Sequence, residues 1–339
     1  MCYKAELQKK NEEKLNEQFT QENVPMFIQE AVIMRISGRN TRLMVWHTVK
    51  EMLNWMISKG YIKKTSVGEI DESDLDHIMP MQMMWYFDYL LKEKGIARTT
   101  FVTNKNQLSS FFGKLKERHY VRDNIVTLVD SSEYKATKTN RKKTAKQPLP
   151  EDIEEMMERL KSRKNEFLRI RNLTIFRVLR GTGLRVSELV GLDMKDVYLD
   201  AKYLDARHPR PYILVISKGT YDYTDDGKDI VFLTKDAIEA FKEWFEFRSH
   251  LDNIQDENAV FVNRDGSRTS DKTIKDMFKT HSDGKITPHM MRHEYTMQLQ
   301  RESNDRTFVQ EQGRWKSSMM MDTVYDSGTV RSIGALDNM

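Results

Sequence analysis

The chain has 339 residues, 39% hydrophobic and 31% charged, which is enough to fold two domains and bury a core beneath a highly charged surface. No apolar run approaches the ~18 residues of a membrane span, and charges alternate through the first residues where a secretory signal needs an apolar stretch. The one cysteine, Cys2, excludes disulfides and cysteine-based zinc clusters, and the net charge of +4 says less than its distribution along the chain.

Residues 1–20 read as a charged extension, and residues 21–132 follow a helical pattern. After Ser37-Gly38, the side chains Val45, Val49, Met52, Leu53 and Met56 recur every three or four positions over residues 40–58. Met83, Met84, Phe87, Leu90 and Leu91 mark a helix over 74–93, and Leu108, Phe111, Phe112 and Leu115 mark another over 98–118. These stripes are core. The helix starts are more polar: Arg39, Asn40, Thr41 and Arg42 open one, while Arg98, Thr99 and Thr100 open another that Asn104, Lys105 and Gln107 line. Such starts suit either phosphate oxygens and base edges or simple helix capping.

Residues 133–150 form the clearest break. Lys135, Lys138, Arg141, Lys142, Lys143 and Lys146 occur with no acidic residue from Tyr134 to Gln147, and Pro148-Leu149-Pro150 closes the run. Like charges extend the segment, which reads as a solvated tether or as a strap along a polyanion. From 151 to 326 the unit is mixed. Ile153, Met156, Met157 and Leu160 mark one helix; Leu168, Ile175, Phe176 and Leu179 mark a second, which Gly181-Thr182-Gly183 ends. Two β-branched runs, 212–216 and 230–233, flank the turn-rich Asp225, Asp226 and Gly227 and read as a hairpin. Thr234 caps a helix with Ile238, Phe241, Trp244 and Phe245 inward, and the pattern beyond 271 is helical, with 327–339 a tail. The expected fold is mainly α: an all-α first domain and an α-dominated second domain with a small antiparallel sheet.

Three stretches carry chemistry. In Gly181-Thr-Gly-Leu-Arg-Val-Ser-Glu-Leu189, Arg185 and Glu188 are placed to pair on one helix face. In Thr287-Pro-His-Met-Met-Arg-His293, Thr287 suits an N-cap and Pro288 a first turn, so His289 and Arg292 project from one side. Gly313-Arg-Trp-Lys-Ser317 precedes Tyr325. Two guanidinium forks can hold a phosphodiester, a histidine can move a proton, and a tyrosine oxygen can attack phosphorus if the developing charge is stabilised.

In this order, the 181–189 box, His289-x-x-Arg292-His293 and Tyr325 resemble the tyrosine recombinases, the Xer-like and phage-integrase-like site-specific recombinases. The likeness covers the second domain by motif and the first, as a helical core-binding unit, more loosely. It implies Arg185 and Arg292 as the phosphate clamp, Glu188 as the acid beside the first arginine, His289 as proton-handling residue and Tyr325 as nucleophile. A lysine on a β-hairpin serves the leaving 5′ oxygen in this family; Lys218 sits where it does, and Lys228 is the second candidate. Trp315 matches a position that is often histidine, but precedes Tyr325 by one residue more than usual, which leaves Lys316 as an alternative. The family further implies duplex DNA with paired half-sites as partner, a homotetramer on DNA, no membrane, a cytoplasmic, nucleoid-associated location, and neither metal nor ATP. Arg39, Asn40, Thr41, Arg42, Arg98, Thr99, Thr100, Asn104 and Lys105, with Lys138, Arg141, Lys142, Lys143 and Lys146 of the linker, are the DNA-contact candidates. A type IB topoisomerase-like strand transferase and a non-catalytic DNA-binding regulator are the alternatives. Residues 1–20 are too few for a separate arm-binding domain, so a simple-site enzyme is expected.

Overall fold

Helices whose apolar residues recur every three to four positions must bury that stripe, and the chain does so in two separate compact units that divide between residues 140 and 141. The computed structural model describes residues 3–34, 39–130, 147–203, 205, 208–217, 227–303 and 305–315. Among them no helix is long and apolar enough to cross a membrane.

The first unit is helical: α1 (Tyr3–Gln21), α2 (Met26–Ile33), α3 (Arg39–Ser58), α4 (Glu72–Asp76), α5 (Pro80–Asp88), α6 (Arg98–Glu117) and α7 (Ile125–Leu128). Its core takes Val45, Val49, Met52, Leu53 and Met56 from α3 and Leu108, Phe111, Phe112 and Leu115 from α6, all fully enclosed. Two expectations change. The extension expected over 1–20 is a helix packed on α3: Leu15 and Phe19 enter the core, and Phe19 meets Trp46 edge-on with ring centroids 5.1 Å apart. Its dense Lys and Glu residues lie on the other faces and hide the short apolar stripe. The helix expected over 74–93 is interrupted, because Pro80 cannot continue a helix and instead starts α5 at its first turn, and Tyr89–Glu93 form a π-helical turn. Met84 and Leu91 pack against the core without being enclosed by it.

The second unit comprises α8 (Pro150–Lys161), α9 (Glu166–Thr182), α10 (Val186–Val190), β1 (Val197–Tyr198), β2 (Tyr212–Val215), β3 (Asp229–Phe232), α11 (Lys235–Ser249), α12 (Asp271–His281), α13 (Pro288–Glu302) and α14 (Arg306–Gly313). The strands form one antiparallel sheet in the order β1-β2-β3, with Ile213 opposite Val231 and both enclosed. β2 and β3 are the hairpin arms read from the sequence; β1, two residues long, has no periodicity to read. Thr234 caps α11 by accepting from the Ala237 N–H, and Ala237, Ala240, Phe241 and Trp244 form its buried face, with Ile238 and Phe245 half-buried. α9 packs against α8, α11 and α13, so its apolar residues Ile175, Phe176, Val178 and Leu179 are all enclosed. This central helix ends at Thr182 and delivers the 181–189 box to the site.

Candidate active site

The box begins with a backbone reversal. Gly183 closes α9 in the left-handed conformation (φ 58°), and a Cβ there would lie 2.4 Å from Cδ1 of Tyr295 on α13. Both the torsion and the close ring demand glycine. Gly183→Ala is expected to lower stability by about 2–3 kcal/mol, read from the urea unfolding midpoint; an unchanged midpoint would refute this account of the turn.

After this turn Arg185 becomes the N-cap of α10 and Glu188 its third residue. The Arg185 backbone N–H donates to Glu188 Oε2 (2.9 Å), while Arg185 Nη1 donates to Oε1 (2.6 Å). Glu188 is buried, and the Arg185 side chain keeps 28% of its surface exposed. The pair spaced three apart in the sequence is therefore formed by a helix start folding back on itself.

On α13, Thr287 Oγ1 accepts from the Met290 N–H (3.2 Å) and Pro288 occupies the first turn. His289 and Arg292 do line one cavity, yet their environments differ. Arg292 is 1% exposed: Nη1 donates to the Gly183 carbonyl (2.6 Å), the other Nη to the Gly313 carbonyl, and its guanidinium lies 5.3 Å from the Trp315 ring centroid. His289 is exposed at the cavity edge, 4.3 Å from the His293 ring. Partial burial, then the charges of Arg292 and Arg185, hold the His289 pKa below 6.5, so the ring is neutral at pH 7 and can take a proton. His293, beneath it, is pushed down to about 4, by burial first and then by His289 and Arg292.

Arg314 is the residue that sequence reasoning missed. It follows α14 in the left-handed conformation (φ 51°) with its side chain 2% exposed, and Nη2 reaches Glu188 Oε2 at 3.0 Å and the Gly183 carbonyl at 3.1 Å. Nothing in its spacing marked it; it stands beside Gly313, where a Cβ would fall 2.5 Å from Trp315 Cδ1. Glu188 is thus faced by three guanidinium groups, with Arg292 Nη1 at 3.9 Å. Burial pushes its pKa up, but Arg314, Arg292 and Arg185 together outweigh burial and hold it below the usual carboxylate value. One buried carboxylate against three guanidinium groups leaves an excess of positive charge, which suits the site to an anion.

Between α10, α12 and α13 lies a cavity of about 660 Å³; Leu184, Phe278 and Ile286 form its apolar wall, and Arg185, Arg292, Lys275 and Lys279 its cationic side, with neutral His289 and with Asp271 paired to Lys275. Among the described residues no group of three His, Cys, Asp or Glu side chains is placed to share a metal ion.

Lys218, Lys316 and Tyr325 lie outside the described residues. Lys228, the second lysine candidate, has its ammonium 2.6 Å from Asp196 Oδ1 in an ion pair with both side chains buried. Of the DNA-contact candidates, the side chains of Arg39 and Asn40 fall outside the described residues, as do Lys138, Arg141, Lys142, Lys143 and Lys146. Thr41 is half-buried and Arg42 pairs with Glu12 at 3.6 Å. Arg98, Thr99 and Thr100 are exposed, and Asn104 and Lys105 half-buried. Ala97, the α6 N-cap, makes no side-chain cap bond, so those threonines do not cap the helix. Gln107 is buried and accepts from the Thr48 hydroxyl at 2.6 Å. Glu51 pairs with Lys94 just before α6, while Met34 just before α3 meets Arg118 after α6; the helices therefore run in opposite senses. Their polar starts lie at opposite ends of the pair, on the order of 30 Å apart.

The phage integrase family model matches residues 149–329, more than half of the chain. The tyrosine recombinase XerC of Neisseria gonorrhoeae is 34% identical over 149 residues, covering 42% of this chain and 43% of that protein. XerC of Vibrio vulnificus is 29% identical over 225 residues, covering 64% of this chain and 63% of that protein. The chain thus spans less than two thirds of the length of these curated relatives. Among solved structures, the Tn1549 transposon integrase in complex with circular intermediate DNA shares the fold at TM-score 0.60 and 18% identity, over 90% of this chain and 97% of that one. XerH bound to its palindromic difH substrate shares it at TM-score 0.57 and 20% identity, over 82% and 76%. Arginine box, histidine–arginine helix and mainly helical fold agree with the matched region: the chain belongs to the phage integrase family of tyrosine recombinases.

Proposed function

We propose that the protein is a site-specific DNA recombinase that cuts and rejoins duplex DNA through a 3′-phosphotyrosine intermediate. The observation that supports this best is the convergence of Arg185 and Arg292, from segments 107 positions apart by number, on the single carboxylate of Glu188 beside a neutral His289. Two guanidinium groups so placed can share the non-bridging oxygens of one phosphodiester and stabilise the charge that builds as phosphorus is attacked. Tyr325 supplies the attacking oxygen, its proton passing to His289 or solvent. The P–O5′ bond breaks, Lys218 protonates the leaving 5′ oxygen, and the Trp315 indole can donate to the phosphate but cannot transfer a proton. A second 5′-hydroxyl then attacks the phosphotyrosine and restores the tyrosine. One phosphoester bond replaces another at each step, so the cycle requires no ATP, and the two guanidinium groups supply the charge stabilisation that a metal would otherwise give.

The proposed partner is duplex DNA carrying paired half-sites, held by a homotetramer, with the exposed start of α6 and the basic linker on the backbone. A duplex nicked just 3′ of the scissile phosphate releases the short fragment that carries the 5′-hydroxyl and traps the covalent adduct; absence of any adduct refutes the reading. Joining of strands between two duplexes separates recombination from topoisomerase-like relaxation. Replacing Lys135, Lys138, Arg141, Lys142, Lys143 and Lys146 by glutamine should weaken binding on every sequence and flatten its salt dependence by about 0.9 in slope per lost phosphate contact. An unchanged slope would make the linker a tether only.

A further inference from the structure

We propose that Arg314 is a positioning residue: from the turn that closes α14, its guanidinium fixes the Glu188 carboxylate and the Gly183 carbonyl, so that Arg292 can turn toward a phosphate without leaving either group unpaired. This role rests on the strand-transfer reading above.

The geometry carries it. Arg292 and Arg314 converge on the same two acceptors, Gly183 O (2.6 and 3.1 Å) and Glu188 Oε2 (3.9 and 3.0 Å). Arg292 spends its two Nη groups on carbonyls, Gly183 and Gly313. Its N–H groups outnumber these two bonds, but at 1% exposure the enclosed fork must turn to meet a phosphate, and the turn draws an Nη away from a carbonyl; an abandoned buried acceptor costs about 1–3 kcal/mol. Arg314 removes that cost at Gly183, whose carbonyl keeps a donor, and at Glu188, which keeps two cations. Around Arg314 the chain is held from three sides: Gln312 Oε1 accepts from the Phe232 N–H of β3 (3.2 Å), Gly313 O accepts from Arg292 of α13, and Arg314 reaches the box. The left-handed torsion of a non-glycine residue is held in place by these buried contacts. A buried cation is not needed for packing, since an apolar side chain of similar volume would serve as well.

The charged groups facing Glu188 are Arg185 at the start of its own helix, Arg292 from α13 and Arg314 after α14. Without Arg314, burial weighs more heavily and Glu188 takes up a proton at higher pH, losing its hold on Arg185. The test is the single-turnover rate of adduct formation on a nicked duplex from pH 6 to pH 9, each variant divided by wild type so that the histidines cancel. Arg314→Gln should slow the step about tenfold at pH 6, a loss that shrinks toward pH 9. Arg314→Lys, which keeps the cation, should keep the wild-type profile, and is the variant to read if Arg314→Gln fails to fold. Arg314→Gln should cost less on a Glu188→Gln background than in wild type, the remainder being its bond to the Gly183 carbonyl. A loss equal at every pH, a tilted profile in Arg314→Lys, or losses that multiply in the double variant would overturn the role. Failure of wild type itself to form an adduct would instead overturn the recombinase reading.

Discussion

Tyr325→Phe is expected to abolish the covalent protein–DNA adduct on a nicked duplex while leaving DNA affinity within about twofold. In the proposed reaction the phenol oxygen is the atom that bonds to phosphorus, and phenylalanine offers no oxygen in its place. In the same proposal binding depends on cations spread over two units, each contributing a small and salt-dependent share. The two readouts therefore separate: denaturing electrophoresis of the trapped adduct reads chemistry, and a mobility shift reads binding. An adduct that persists in Tyr325→Phe moves the nucleophile to another residue, and a parallel loss of binding would mean that the substitution disturbs the fold.

Arg292→Ala is expected to be the next most damaging change, and for two reasons that can be measured apart. On the proposed mechanism it deletes a charge-assisted donor at the phosphate, where one such group is worth about 10²–10³ in rate. It also takes the Arg292 donor from the Gly313 carbonyl in a buried setting, at about 1–3 kcal/mol, while the Gly183 carbonyl keeps Arg314. The melting midpoint should therefore fall together with the rate. Arg185→Ala provides the contrast. Its side chain is more than a quarter exposed and Glu188 keeps Arg314 and Arg292, so the rate should drop by a similar factor with a smaller change in melting. A rate within about tenfold of wild type for both variants would remove the two-guanidinium clamp as the basis of catalysis.

The helical stripes of α3 and α6 were legible because burial on one helix face leaves a local period, and the hairpin because its two β-branched runs flank turn residues. The start of α10 was legible for a similar reason: Arg185 and Glu188 are close enough in sequence to pair within a single turn. α1 was hidden because only a few apolar residues, Leu15 and Phe19 among them, enter the core and the many charges around them read as solvent-facing chain. Lys228 could not be separated from Lys218 by spacing alone, since the ion pair that buries Lys228 joins it to Asp196, on a distant turn.

From its order of residues alone the protein determined a mainly helical architecture and a set of candidate catalytic residues, since both depend on periods and spacings of a few positions. Tertiary structure alone decided that Arg314 joins Arg185 and Arg292 around Glu188, that Arg292 faces inward while His289 faces the cavity edge, and that the polar starts of α3 and α6 point to opposite ends of their pair. Charges meet through space, and a carboxylate at position 188 enclosed by guanidinium groups from positions 292 and 314 becomes a neighbour of theirs only when α9, α13 and α14 have packed.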